Sequence, residues 1–118
     1  MSEKYLIGID EGSQSAKILI FDEKGNIVCE GKHPLKPYNL PKPGHVEHPD
    51  DDWWDAICAA GQKCMDAFEG DSADIVGIGL CTIRYCRAYL DENCMLHSRL
   101  FPGCMSVYQN HMYTRTRM

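Results

Sequence analysis

Apolar and polar positions alternate along the first third of the chain with the period of extended strands. Residues 4–10 put Tyr5, Ile7 and Ile9 on one side and Leu6, Gly8 and Asp10 on the other. Residues 16–22 are apolar on both sides through Ile18, Leu19, Ile20 and Phe21, which predicts a strand with layers above and below it, as in α/β proteins. Asp22-Glu23-Lys24-Gly25-Asn26 reads as a hairpin turn in which Gly25 can take positive φ. Residues 27–33 return as a third strand, and Glu30 and Lys32 suit it to a sheet edge. The chain therefore opens as a three-stranded meander.

Five prolines between Pro34 and Pro49 then predict an extended, irregular loop. A helix follows, with Asp50, Asp51 and Asp52 placed where negative charge favours a helix N-terminus. Trp54, Ile57, Cys58, Gly61, Met65 and Phe68 recur at helical spacing as one apolar stripe, and Gly70 reads as its C′ residue. Residues 75–80 form a short, nearly continuous apolar strand. Strand, helix and strand in that order predict a crossover and a parallel pairing with an earlier strand. Gly77 and Gly79 share one face of it, where another backbone could approach. Tyr85 to Leu90 reads as a further strand and Asp91-Glu92-Asn93 as a turn; beyond Arg99 the pattern fades.

Composition narrows the classes. The chain has 118 residues, 44% hydrophobic and 25% charged, the balance of one small globular domain or part of a larger one. A formal net charge of −5 argues against nucleic acid as a partner. The apolar runs are far shorter than the roughly 20 residues that span a bilayer, and Asp10 interrupts the only early run that could act as a signal peptide. Seven cysteines without a CxxC pair fit reduced thiols in a cytoplasmic protein better than a disulfide framework or a zinc site.

The candidate chemistry centres on residues 10–17. Asp10 ends a strand expected to be buried, where a lone carboxylate is costly unless it is paired, hydrogen-bonded or neutralised by a metal. Magnesium held there directly or through water would bridge to phosphate oxygens. Gly12 permits close approach, Ser13, Gln14 and Ser15 offer hydroxyl, amide and N–H groups, and Lys17 adds a point charge. The same residues also read as a plain β-hairpin with a polar turn. Glu11 would oppose a phosphate, but strand alternation turns it to the face opposite Asp10 and Gly12. His45, Glu47, His48 and Asp50 match no standard metal-ligand spacing and read as a loop entering a helix. Arg84 and Arg87 follow the glycine-containing strand, where they serve equally well as ligand contacts or as surface charges. Trp53 and Trp54 read as core plus flank.

Taken in order, these segments resemble the N-terminus of the FGGY family of carbohydrate kinases, which includes glycerol kinase and xylulokinase. That family opens on a hydrophobic strand, Asp-x-Gly-Thr-(Thr/Ser)-Ser, a basic residue and a second strand ending Phe-Asp. Ile7-Gly8-Ile9-Asp10-Glu11-Gly12-Ser13-Gln14-Ser15 and Lys17 to Asp22 match it, with Ser13-Gln14 in place of Thr-Thr or Thr-Ser. Pro43-Gly44-His45-Val46-Glu47-His48 and Asp52-Trp53-Trp54 resemble the family's Pro-Gly-Trp-Val-Glu loop and the helix after it, with His45 in place of Trp. Ile78-Gly79-Leu80 and Arg84 align with the strand and Gln-Arg-Glu segment that contacts the sugar, with Tyr85 where glycerol-kinase-like members have Glu.

The resemblance implies a ribonuclease H-like, actin-type ATPase fold of the α/β class, of which residues 1–100 form an N-terminal part. Residues 101–118 are a tail lacking the family's Trp-x-Asp-x-Arg segment. It further implies ATP and Mg²⁺ as cosubstrates, with Asp10 at the metal, Gly12, Ser13, Gln14, Ser15 and Lys17 at the phosphates, and Arg84 with Tyr85 on a sugar or polyol. The catalytic base is expected beyond residue 118, so this N-terminal fragment should be inactive alone. The alternative within the same superfold is a non-catalytic actin-like or sugar-binding module. Neither nucleic acid nor membrane is an expected partner, and a homodimer of the full-length protein is compatible with the resemblance.

Overall fold

The computed structural model describes residues 3–43, 46–84 and 87–101. The chain divides into two compact units, one of Met1–Leu35 and Trp53–Ile83, the other of Lys36–Asp52 and Arg84–Met118.

The first unit is a four-stranded sheet with one helix on it. Strands β1 (Tyr5–Glu11), β2 (Ser15–Asp22) and β3 (Ile27–Pro34) form the expected antiparallel meander. Strand β4 (Ile75–Thr82) follows α1 (Asp52–Ala67) and lies parallel to β1, giving the order β3-β2-β1-β4. The crossover reading thus holds, and β3 lies at an edge as its polar residues suggested. The β2–β3 turn is held by Asp22, whose Oδ1 accepts from the backbone N–H groups of Lys24 and Asn26 at 2.8 Å. The Asn26 side-chain amide donates to Oδ2 at 2.8 Å, and these bonds hold the Asp22 carboxyl below the usual carboxylate range. Gly25 has φ +84°, the conformation foreseen for it.

Helix α1 packs with a different face from the one its large apolar residues suggested. Trp54 is 61% exposed, and Cys58 and Met65 are also exposed. The buried apolar positions are Ala56, Ala60 and Cys64, against Ala16, Ile18 and Ile20 of β2 and Cys29 of β3. Tyr5, Ile7, Ile9, Ile57 and Phe68 close the margin of this core. The reason is Gly31, where a Cβ would meet the Ala60 carbonyl oxygen and would stand 2.7 Å from the Cys64 amide nitrogen. The helix backbone rests on the β3 backbone, so the contact stripe must be made of small residues. The close approach expected at Gly77 and Gly79 is therefore found at Gly31; the nearest neighbour of a Cβ at Gly77 is the Leu6 side chain, at 3.0 Å.

Gly70 is not a C′ residue in the left-handed conformation, because α1 ends at Ala67 and Gly25 is the positive-φ glycine among the described residues. Its lack of a side chain makes room instead for the Phe68 ring, whose Cζ would lie 2.5 Å from an added Cβ. That ring meets Tyr5 edge to face, with centroids 5.0 Å apart. A short 3₁₀ turn, Ser72–Asp74, then leads into β4; Lys4 Nζ reaches Asp74 Oδ1 at 2.7 Å, fixing the start of β4 beside the start of β1.

In the second unit, the proline-rich segment is less irregular than its composition implied. Asn39 and Glu47 exchange backbone hydrogen bonds of 2.8 and 2.9 Å, closing the loop across its middle. Asp52 turns its Oδ2 to the Lys36 amide at 2.7 Å and so ties the loop's ends together. The Tyr38 and His48 rings meet edge to face, 4.8 Å between centroids, and His48 is fully buried. Strands β5 (Arg87–Leu90) and β6 (Leu96–Phe101) form a separate antiparallel hairpin. Its turn is organised by Asp91, which accepts from the Asn93 and Met95 amides at 2.9 Å. The strand expected from Tyr85 is described from Arg87 onward, and β6 was not foreseen.

Candidate functional site

Alternation along β1 decides the geometry of the 10–17 segment. Tyr5, Ile7, Ile9 and Glu11 face α1, and Leu6, Gly8 and Asp10 face the other way. Glu11 is 1% exposed, whereas Asp10 is exposed. The two carboxylates thus lie on opposite faces, as anticipated, but burial falls on Glu11 instead of Asp10. The premise that Asp10 needs a metal to offset desolvation is corrected: its carboxylate stands in the open and is available to a ligand without that penalty.

Asp10 lies in register with Lys17 on β2 and with Cys81 on β4, and Lys17 with Lys32 on β3. One row across the sheet therefore reads Lys32, Lys17, Asp10, Cys81 on a single face. Lys17 also leans towards Glu30, with Nζ 3.7 Å from Oε2, an exposed pair of small energetic weight. Both Asp10 and Cys81 are near the C-terminal ends of parallel strands, the edge at which α/β sheets receive ligands. The Ile83 amide donates to the Glu11 carbonyl oxygen at 3.1 Å and continues that pairing past Thr82.

The turn itself is short and internally bonded. The Gly12 amide donates to the Ser15 carbonyl oxygen at 3.1 Å, so this N–H is engaged within the turn. A Cβ at Gly12 would stand 3.3 Å from that same oxygen, which gives the glycine a role in letting the turn close. The Gln14 carbonyl oxygen accepts from the Leu35 amide at 2.8 Å, anchoring the turn to the end of β3. Ser13 and Gln14 are exposed and Ser15 half-buried. Asp10, Gly12, Ser13, Gln14, Ser15 and Lys17 thus gather at one end of the first unit. Arg84, exposed, belongs to the second unit, and Tyr85 lies outside the described residues.

Among the described residues no group of three or more His, Cys, Asp or Glu side chains is placed to hold a metal. Within the 45–50 segment the Glu47 backbone closes the loop against Asn39, and the His48 ring packs against Tyr38. The oxygen donors at the turn, a single carboxylate with hydroxyl and amide neighbours, suit Mg²⁺, which keeps most of its waters and takes one or two carboxylates plus phosphate oxygens. Cys81 beside Asp10 was not singled out from the sequence, and only the parallel register reveals it. No helix among the described residues is long and apolar enough to cross a membrane.

Comparison with known proteins bears on this arrangement. Residues 5–99 match the model of the FGGY family of carbohydrate kinases, N-terminal domain. Over 90 residues the chain is 56% identical to the uncharacterized sugar kinase YgcE of Escherichia coli (strain K12), covering 76% of this chain and 18% of that protein. Over 80 residues it is 39% identical to a glycerol kinase of Ligilactobacillus salivarius, covering 68% of this chain and 16% of the relative. The chain thus spans less than a fifth of the length of these relatives. Among solved structures, a gluconate kinase from Lactobacillus acidophilus superposes with a TM-score of 0.77 at 20% identity, over 97% of this chain and 23% of that one. A xylulose kinase from the same organism gives 0.75 at 20% identity, over 95% and 23%. At that identity the likeness establishes the fold, the actin-like ATPase type.

Proposed function

The chain belongs to the FGGY family of carbohydrate kinases, and on that premise we propose that it contributes the phosphate-side half of an ATP-dependent sugar or polyol kinase. The observation that carries this reading is the exposed Asp10 at the C-terminal end of β1, beside the Gly12–Ser15 turn and in register with Lys17. When bound, Mg²⁺ supplies charge neutralisation at the phosphates of ATP. Asp10 holds that ion directly or through water, Ser13, Gln14 and Ser15 orient phosphate oxygens, and Lys17 offsets their charge. Arg84 and Tyr85 hold the sugar or polyol. A carboxylate beyond residue 118 accepts the proton of the attacking hydroxyl, whose oxygen then bonds to the γ-phosphorus in line as the bond to the departing ADP breaks. The partners in this reading are small molecules met in the cytoplasm, and the full-length protein assembles as a homodimer.

The test is ATP consumption across a panel of pentuloses, hexuloses, aldonates and polyols, run on the 118-residue chain and on a longer protein that contains it. One member of the panel is expected to stimulate turnover by the longer protein, and none by the 118-residue chain. If the longer protein bound a sugar without consuming ATP, the binding-module alternative would replace this reading.

A further inference from the structure

We propose that Cys29 of β3 and Cys64 of α1 are a latent disulfide pair that closes by thiol–disulfide exchange and staples the helix to the sheet. Their sulfur atoms lie 3.5 Å apart, and the Cys29 thiol also donates to the Cys64 carbonyl oxygen at 3.4 Å. Both are free thiols within the core, Cys29 at 9% exposure and Cys64 at 0%.

Their proximity follows from the packing. The backbone contact at Gly31 falls on the Ala60 carbonyl and the Cys64 amide. Cys29 lies two residues back from Gly31 on the same strand face, a step of about 7 Å. The next carbonyl on the same helix face, that of Cys64, lies four residues beyond Ala60, a step of about 6 Å. The two steps match, so the close approach at Gly31 carries along the helix to the two cysteines. A disulfide bond is about 2.0 Å long, so closure shortens the sulfur separation by roughly 1.5 Å, which side-chain torsions can deliver.

The oxidant is a low-molecular-weight disulfide. Cys29, the more accessible thiol, attacks one of its sulfurs as the thiolate; the Cys29–S bond forms, the small disulfide breaks, and the departing thiolate takes up the proton that Cys29 released. The Cys64 thiolate then attacks the Cys29 sulfur, expelling the second small thiolate, which takes up the Cys64 proton. Two protein thiols are oxidised by two electrons and one small disulfide is reduced to two thiols. Burial, and then the contact with Cys29, push the Cys64 thiol up to about 12, so closure is slow at neutral pH and accelerates with alkalinity.

The native chain is incubated with oxidised glutathione at pH 8, quenched with an alkylating agent, and mapped by peptide mass. The expected product is a Cys29–Cys64 linked peptide without glutathione, together with a thermal midpoint raised by on the order of 5–10 °C and restored by dithiothreitol. Cys29→Ser removes both the linked peptide and the shift while leaving Cys58 able to take up glutathione. The proposal is overturned if Cys29 and Cys64 are recovered alkylated while the exposed Cys58, Cys81 and Cys94 carry glutathione. It is also overturned if each core thiol carries its own glutathione, or if either links to a different cysteine.

Discussion

Gly31 of β3 and Cys64 of α1 meet backbone to backbone: a Cβ at Gly31 would stand 2.7 Å from the Cys64 amide nitrogen. Neither partner is a flexible side-chain end, so neither can yield without moving the helix. Gly31→Ala is expected to destabilise the chain by about 3 kcal/mol, at the upper end of overpacking costs. Gly61 is the contrasting case, since a Cβ there meets only the Ile18 Cδ1 at 3.4 Å, an ordinary contact. Gly61→Ala should gain about 0.5–1 kcal/mol from helix propensity. Urea unfolding of the two variants side by side checks the opposite signs.

The same packing makes a counterintuitive prediction for the helix's largest residue. Trp54 is exposed and Ala60 is buried. Trp54→Ala should leave stability within about 0.5 kcal/mol, whereas Ala60→Val should cost about 1–3 kcal/mol. Denaturant midpoints distinguish this phase of the helix from one in which Trp54 is core.

These residues also show what the sequence could convey. Strand positions were legible because period-2 alternation is direct, and Tyr5, Ile7 and Ile9 do face the core. The parallel β1–β4 pairing was legible because a helix separates the two apolar runs. The phase of α1 was not: periodicity weighted by size favours Trp54 and Met65, while the contact is set by backbone clearance at Gly31, a residue on a different element. The burial of Glu11 in place of Asp10 has a similar cause, since alternation assigns faces but not which face α1 will cover. The opening motif drew attention to Asp10, the turn and Lys17 as candidates; it gave no sign of Cys81, which arrives beside Asp10 only through the β1–β4 register.

The closed loop of the second unit should be sensitive to acid. Burial holds the His48 imidazole below its ordinary pKa, an effect opposed by the Asp52 carboxylate, and the facing groups are Tyr38 and Asp52. A base whose pKa is lower in the folded state binds fewer protons there than in the unfolded chain. Folding stability therefore falls as pH drops below about 6.5, until the folded-state pKa is passed. His48→Phe, which keeps a ring against Tyr38, should remove that part of the pH dependence. Thermal midpoints at pH 7.5 and 5.5 for both proteins measure it; an unchanged difference would show that His48 does not carry the effect.

Asp10 and Glu11 are adjacent carboxylates with opposite surroundings, and they separate function from folding. Asp10 is exposed near the C-terminal end of β1, so Asp10→Asn should leave the stability of the chain within about 0.5 kcal/mol. In a longer protein that contains this chain, and on the proposed kinase reading, the same change removes the charge proposed to hold Mg²⁺. It should lower kcat by on the order of 10²-fold or more and raise the Mg²⁺ concentration needed for half-maximal rate. Glu11 is buried on the α1 side, so Glu11→Gln should act first on unfolding midpoints and leave the Mg²⁺ dependence of the surviving activity unchanged. Measuring both quantities on both variants tests the assignment. A Mg²⁺ shift in the Glu11 variant, or none in the Asp10 variant, would move the metal-facing carboxylate from one face of β1 to the other.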